Sequence, residues 1–231
     1  MDIDALLGPF ERLLDDNIVS PMTALETSGF LDVMKSEEDG GAGLSLLEAE
    51  PLFRAIGARG LSADLAMAIV ERGAITVSNE LSAVVHAMLI AGGIECLLTM
   101  SVDYANIRIQ FGKPIGRQQA LQQQLAQLAE QAALVRVAAQ YGAASGMMPS
   151  PERAAVAKYA ASAAVPLATS IAHAVHGAIG ITHEFDLQRI VKPLHEWRMA
   201  AGSESYWARI LGQSRVAVPD APSVDFVRAI V

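Results

Sequence analysis

The chain has 231 residues, a formal net charge of −8, and 52% hydrophobic residues of which few are aromatic. Alanine and leucine dominate while β-branched and aromatic runs are short and scattered, so little material is available for a sheet and a helical protein is predicted. Its 17 Lys and Arg form no cluster and are outnumbered by 25 Asp and Glu, which excludes a nucleic-acid footprint, and the lone Cys96 excludes an internal disulfide or a multi-cysteine metal site.

The first 16 residues place acids where an export signal needs positive charge, so a cytoplasmic location is expected. Short helices are predicted over 9–15 and 21–26, the second with Ser20 as N-cap and Pro21 at the first helical position, and Gly29 ends it. Residues 36–43, rich in acids and glycine, read as a loop. Ser45 and Glu48 form a capping box that opens a helix through Ile56, closed by Gly57 and Gly60. A short segment, 62–70, follows.

Residues 83–100 are apolar enough to resemble a membrane span, but they contain His86 and Glu95 and lead into Asp103, which fits a buried helix better. The positive mean hydropathy of +0.32 predicts surface buried against partner subunits. A long helix is expected over 80–110, with Leu81, Val84, Val85, Met88, Leu89 and Cys96 roughly on one side. Glycine and proline in 111–116 make the turn into a second long helix, 118–145. Its Leu121, Leu125, Leu128, Ala132, Val135 and Ala139 form a coiled-coil-like seam, opposite an outer face of glutamines. Ser150 and Pro151 cap a third, 152–176, whose small residues let neighbouring backbones approach.

With a final broken helical stretch over 186–213, these elements predict an all-α, up-down four-helix bundle. The expected organisation is a reduced N-terminal helical region (1–78), the C-terminal bundle (79–213), and an extended tail (214–231) containing Pro219 and Pro222.

Two strings carry the functional information. The first is Tyr104-Ala-Asn-Ile-Arg-Ile-Gln-Phe-Gly-Lys-Pro-Ile115, followed by Gln119-Ala120 and Leu125-Ala126, at the turn between the first two long helices. The second is Val175-His-Gly-Ala-Ile-Gly-Ile-Thr-His-Glu184, with Leu187 and Arg189. Together, in this order and spacing, they resemble the signature blocks of the acyl-CoA dehydrogenase superfamily. Upstream, Glu26-Thr-Ser-Gly-Phe-Leu-Asp-Val, Glu37-Glu38 and Gly40-Gly-Ala-Gly-Leu-Ser-Leu46 resemble that family's N-terminal helical domain. The resemblance therefore covers the chain to about Gln213, except that full-length members carry a β-sheet domain where this chain has room only for a linker, between about Val70 and Glu80.

The resemblance implies FAD as cofactor and α,β-dehydrogenation of an acyl-CoA as activity. By that likeness Arg108 matches an arginine that reaches the FAD pyrophosphate, sensible for a permanent cation. Gln110, Phe111, Gln118 and Gln119 match positions near the cofactor, and His176, Gly177 and Gly180 match a backbone turn against the flavin. A purely structural duty for Arg108 and Gln110, capping a helix end, is the other reading. The family's Glu-Gly-Thr segment, which provides the catalytic base, falls on Ala201-Gly202-Ser203. Gly202 and Ser203 remain in the cofactor-binding set, but alanine cannot abstract a proton. Glu204 is a candidate displaced base. A second location used in some subfamilies matches Ser82, with Glu80 just before it; Glu80 also suits a helix-dipole partner.

His173, His176, His183 and His195, with Glu184 and Glu196, raise the question of a metal, but no paired spacing repeats and no metal site is expected. The leading expectation is an acyl-CoA dehydrogenase-like subunit that completes a flavin site in a homo-oligomer or with a full-length homologue. The alternatives are an autonomous dehydrogenase using Glu204 or Glu80, and a non-catalytic binding or scaffold protein. No membrane span and no nucleic-acid partner are expected.

Overall fold

Capped helices account for nearly all of the computed structural model, which describes residues 3–73, 76–182, 184–220 and 222–230. Four of them build the N-terminal region: α1 (Ile3–Asp16), α2 (Pro21–Ser28), α3 (Leu46–Ala58) and α4 (Ala63–Gly73). The bundle follows with α5 (Asn79–Ile107), α6 (Gln119–Ala143), α7 (Pro151–His176), α8 (Leu187–Met199) and α9 (Glu204–Val216), and α10 (Ser223–Ile230) ends the chain. The strands found among the described residues are β1 (Ile109–Gln110) and β2 (Lys113–Pro114), an antiparallel hairpin with Ile109 opposite Pro114. The middle β-domain is absent, since α4 and α5 are joined directly.

The bundle is the predicted one. α5, α6 and α7 pack on one another, and the two shorter helices α8 and α9 share the fourth position against α7. The seam on α6 is buried from Leu128 through Ala132 and Val135 to Ala139, as the spacing predicts. The outer face is less uniform than expected, because Leu134 and Val137 are exposed among the polar residues.

α5 departs from the one-sided pattern: its residues are buried continuously from Ala83 to Ile94, because the bundle covers one side and α3 the other. Gly57 and Gly92 explain how α3 gets so close. A Cβ on Gly57 would lie 2.0 Å from the Leu89 carbonyl oxygen, and one on Gly92 would lie 2.0 Å from that of Arg54. Gly57 is therefore a contact residue inside α3 and not its terminator.

The capping box at Ser45 is formed, its hydroxyl accepting from the Glu48 N–H at 3.3 Å while the Glu48 carboxylate accepts from the Ser45 N–H at 2.8 Å. Ser78 and Ser150 cap α5 and α7 in the same manner. Ser20 does not; it precedes Pro21 but makes no side-chain cap bond. α1 starts at Ile3 rather than Pro9, running through the proline because fully buried Phe10 and Leu14 anchor the following turns. α5 stops at Ile107, short of Gln110, because Ile109 and Gln110 pair into the hairpin.

The expected extended tail is corrected too. The two prolines only interrupt it, and α10 folds back so that the Tyr141 hydroxyl donates to the Ile230 carbonyl.

α5 and the stretch Pro151–Ile181 are each long and apolar enough to cross a membrane, with 78% and 50% of their most apolar windows buried inside the protein. In α5 the burial is that of a core helix. Its Glu95 accepts from Arg54 of α3 at 2.6 Å, while Arg54 also pairs with buried Glu50 at 2.7 Å. Burial pushes the Glu50 carboxyl up, and Arg54 partly offsets this.

Candidate functional site

The turn between α5 and α6 and the end of α7 enclose a cleft of about 410 Å³ lined by Tyr104, Arg108, Gln110, Gln118, His176 and Gly177, together with Ile115, Leu121 and residues of 174–179. It unites the two sequence blocks. The hairpin makes this possible: Phe111 and Gly112 both take positive φ (52° and 75°), reversing the chain within two residues so that Gln110 and Gln118 face the same space.

Arg108 sits just past the last turn of α5, its N–H donating to the Tyr104 carbonyl at 2.9 Å. Its side chain is exposed, and no hydrogen bond or ion pair engages its guanidinium among the described residues. A helix-capping duty is thus confined to its backbone. Gly177 has φ 63° and ψ −142°, a conformation that only glycine adopts without strain, and a Cβ there would meet nothing within 4 Å. Its N–H is donated to the His173 carbonyl, and its bare α-carbon leaves that wall of the cleft open.

His176 is buried, with Nδ1 2.8 Å from the Ala172 carbonyl and its ring 4.7 Å from both Tyr104 and Phe185. Burial lowers its pKa against the opposing effect of the Ala172 and Met100 backbone, and because the Ala172 carbonyl only accepts, Nδ1 carries the proton it donates. Gly180 lies behind the cleft, where a Cβ would press on His176 and Leu187. Phe111 and Gln119 are not lining residues: Phe111 protrudes from the hairpin tip, 92% exposed, and Gln119 is exposed at the start of α6. Next to the cleft a more apolar hollow of about 710 Å³ is bounded by Met100, Ile107, Ile109, Ile179 and Phe185.

An exposed cation without a protein partner, two side-chain amides and an open glycine backbone fit the diphosphate end of a dinucleotide. A support for its ring is not part of this chain's described residues. Gly202 and Ser203 are elsewhere, in the loop between α8 and α9. The Gly202 carbonyl accepts from Lys158, and Ser203 caps α9 through the Tyr206 N–H.

That loop also decides the fate of the candidate bases. Ala201 occupies its bend with φ 53° and gives its carbonyl to the Trp207 indole N–H at 3.0 Å. Glu204 is bound by two hydrogen bonds from Arg198, which hold its carboxyl below the usual range; Lys158 adds to the effect. A carboxylate so engaged is a poor proton acceptor. Glu80 is half-buried in the first turn of α5, among the N–H groups of that helix start. Among the described residues no group of three His, Cys, Asp or Glu gathers as a metal would require; His183 lies outside the described residues.

Two residues with strong local chemistry are not singled out by the sequence. Lys158 is fully buried on α7, and its Nζ lies within hydrogen-bond distance of four acceptors, the Trp197 and Arg198 carbonyls at 2.8 and 2.9 Å, the Gly202 carbonyl at 3.1 Å and the Ser162 hydroxyl at 2.8 Å, which its three N–H groups share. It caps the C-terminus of α8 and ties down the 200–203 bend. Its isolation amid Ala154, Ala155, Ala157 and Ala161 was the available signal. His86 lines a second cavity, of about 440 Å³, together with Gly60, Leu61, Asp64, Glu196, Trp197 and Ala200. This cavity adjoins both positions at which the resemblance puts a base, since Ser82 is one turn before His86 and Ala201 follows Ala200.

Comparison with known proteins agrees with this layout. Residues 73–215 match the family described as acyl-CoA dehydrogenase, C-terminal domain. Acyl-CoA dehydrogenase IpdE2 of Mycolicibacterium smegmatis is 39% identical over 104 residues, 45% of this chain and 32% of that protein. Glutaryl-CoA dehydrogenase of Desulfococcus multivorans is 32% identical over 137 residues, 57% of this chain and 35% of that protein. The chain thus spans about a third of the length of the curated relatives it matches. Among solved structures, a glutaryl-coenzyme A dehydrogenase in complex with glutaryl-CoA superposes on 68% of this chain and 39% of its own, with 28% identity and a TM-score of 0.58. A chain of the ChsE4-ChsE5 complex from Mycobacterium tuberculosis matches at nearly full length, covering 96% of this chain and 98% of its own with a TM-score of 0.76, at 15% identity, which shows the shared fold. With its signature blocks joined in one cleft on the matching helical bundle, the chain belongs to the acyl-CoA dehydrogenase family, as an all-helical member without the middle β-domain.

Proposed function

We propose that this chain is a subunit of a cytoplasmic, FAD-dependent acyl-CoA dehydrogenase, which completes a flavin site together with a second copy or a full-length homologue. The observation that carries the reading is the free guanidinium of Arg108 in the same cleft as Gln110, Gln118 and the open backbone of Gly177. Arg108 would neutralise the diphosphate, the two amides would donate to its oxygens, and Gly177 would let the cofactor approach the backbone. The flavin, when bound, supplies the acceptor for the hydride removed from the acyl-CoA. The protruding Phe111 and the exposed Ile109 and Ile179, the latter two lining one hollow, present the apolar surface expected where a partner closes the site. The neighbour of matching length was solved as a complex of two proteins, and the proposal carries that arrangement over.

The test is to purify the chain alone and co-expressed with candidate partners, and to measure flavin absorbance and assembly size. Flavin retained in an oligomer and lost on Arg108→Ala is expected. A colourless monomer under every condition would sink the proposal. The competing view, a scaffold that has lost catalysis, draws on Ala201 and the engaged Glu204; it predicts a stable oligomer whose assembly and function ignore Arg108→Ala.

A further inference from the structure

We propose that the cavity between the start of α4, α5 and α8 binds the acyl portion of a thioester that carries a hydroxyl group, and that His86 Nε2 accepts the hydrogen bond from this hydroxyl. The inference rests on the acyl-CoA reading above and adds the class of acyl group.

His86 is only 7% exposed, and its Nδ1 is 2.7 Å from the Ser82 carbonyl oxygen. A carbonyl only accepts, so Nδ1 carries the proton and Nε2 holds the lone pair. No protein group engages Nε2 among the described residues, while the ring lines the cavity. The imidazole is kept neutral chiefly by burial, which outweighs the opposing effect of its bond to Ser82; Lys158 on α7 favours the neutral form further whenever it is protonated. The cavity thus offers one hydrogen-bond acceptor, carried on a side chain that is nine-tenths buried, which no protein group engages among the described residues.

The surroundings narrow the ligand. Leu61, Pro193, Trp197 and Ala200 provide apolar walls, and about 440 Å³ suits a modest acyl group. The charged groups facing the cavity are Asp64 on α4 and Glu196 on α8, both exposed at its rim, and both carboxylates repel an acyl chain ending in a carboxylate. Asp64 is also held by the Ser62 hydroxyl at 2.9 Å. The acids disfavour an anion, and desolvation at the buried ring disfavours an ammonium, so an uncharged donor suits Nε2, of which a hydroxyl is a small example.

Binding of 3-hydroxybutyryl-CoA, 4-hydroxybutyryl-CoA and butyryl-CoA to the purified protein, in whatever assembly it forms, is measured by calorimetry at pH 7.5. A neutral hydrogen bond to a buried, otherwise unpaired acceptor predicts that at least one hydroxylated probe binds roughly five- to tenfold more tightly than butyryl-CoA. The preference should vanish in His86→Phe, persist in part in His86→Gln, which keeps an acceptor, and fade in the wild type as the pH falls and Nε2 is protonated. If His86→Phe does not fold, the nitrogen resonance of His86 Nε2 in wild-type protein is followed instead; it should move with a hydroxylated probe and not with butyryl-CoA. Equal affinities for the three probes, or no binding of any, overturn the inference. Flavin content is read on the same samples: flavin without discrimination removes this inference alone, whereas discrimination in flavin-free protein leaves it standing and removes the cofactor reading.

Discussion

Lys158 offers the sharpest test of how the bend at 200–203 is held. Burial drives its ammonium down from 10.5 to about 7, with Glu204 opposing the change and Arg198 adding to it. In the unfolded chain the group titrates at its ordinary value, so between about pH 7 and 10.5 the unfolded state binds more protons than the folded one. Folding stability must therefore rise with pH across that window, and be indifferent to this group below about pH 7, where both states are protonated. A difference of roughly 3.5 units at 1.36 kcal/mol each sets the full effect at about 5 kcal/mol.

Lys158→Met keeps the stem and removes the titration. It also strips donors from the Trp197, Arg198 and Gly202 carbonyls, at a cost of about 1–3 kcal/mol for each one left unsatisfied. Urea unfolding of wild type and Lys158→Met at several pH values from 6 to 10 isolates the contribution, because every other titrating group is common to both. The stability difference should widen in favour of the wild type by several kcal/mol above pH 7. A difference that stays flat from pH 6 to 10 would show that the lysine is not held as a desolvated ammonium and would refute the reasoning.

Other expectations concern the helix contacts and the engaged carboxylate. Gly92→Ala places a methyl 2.0 Å from the Arg54 carbonyl and should cost about 3 kcal/mol in denaturant unfolding by prising α3 from α5. Tyr141→Phe removes the hydroxyl that holds the Ile230 carbonyl; hydrogen exchange in 223–230 should accelerate while the bundle stays protected. Glu204→Gln breaks a partly exposed ion pair and should lower stability by about 1 kcal/mol or less. In the proposed dehydrogenase assembly, turnover should stay within about threefold of wild type in Glu204→Gln, and a loss of a hundredfold or more would restore Glu204 as the base.

The helical bundle was legible because its signals are local and redundant: the α6 seam from Leu121 to Ala139, the serine caps at Ser45 and Ser150, and the glycine and proline between α5 and α6 all agree. Arg108, Gln110, Gln118, His176 and Gly177 were legible as a set through the two motif blocks. What escaped reading depends on distant parts of the chain. Gly57 looks like a helix stop until α5 is seen lying against it, and the tail prolines suggest an extended segment until the Tyr141 hydroxyl is seen donating to the Ile230 carbonyl. Lys158 is a cation on an alanine-rich helix, and only the end of α8, some 40 residues later, supplies the carbonyls that explain it. Phe111 belongs to a signature block yet points into solvent, because a motif match carries no information on which way the hairpin tip faces.

The junction between α4 and α5 has a wider meaning for how such proteins change. Six peptide steps separate Gly73 from Asn79, so the two helix ends lie within about 22 Å of each other. Any module whose own termini are close together can be spliced in or cut out at this point while α3, α5 and the bundle keep their packing. The helical scaffold and whatever occupies this junction are thus separable inheritances: one stores the bundle packing and the cleft that holds Arg108, and the other can be changed without disturbing it.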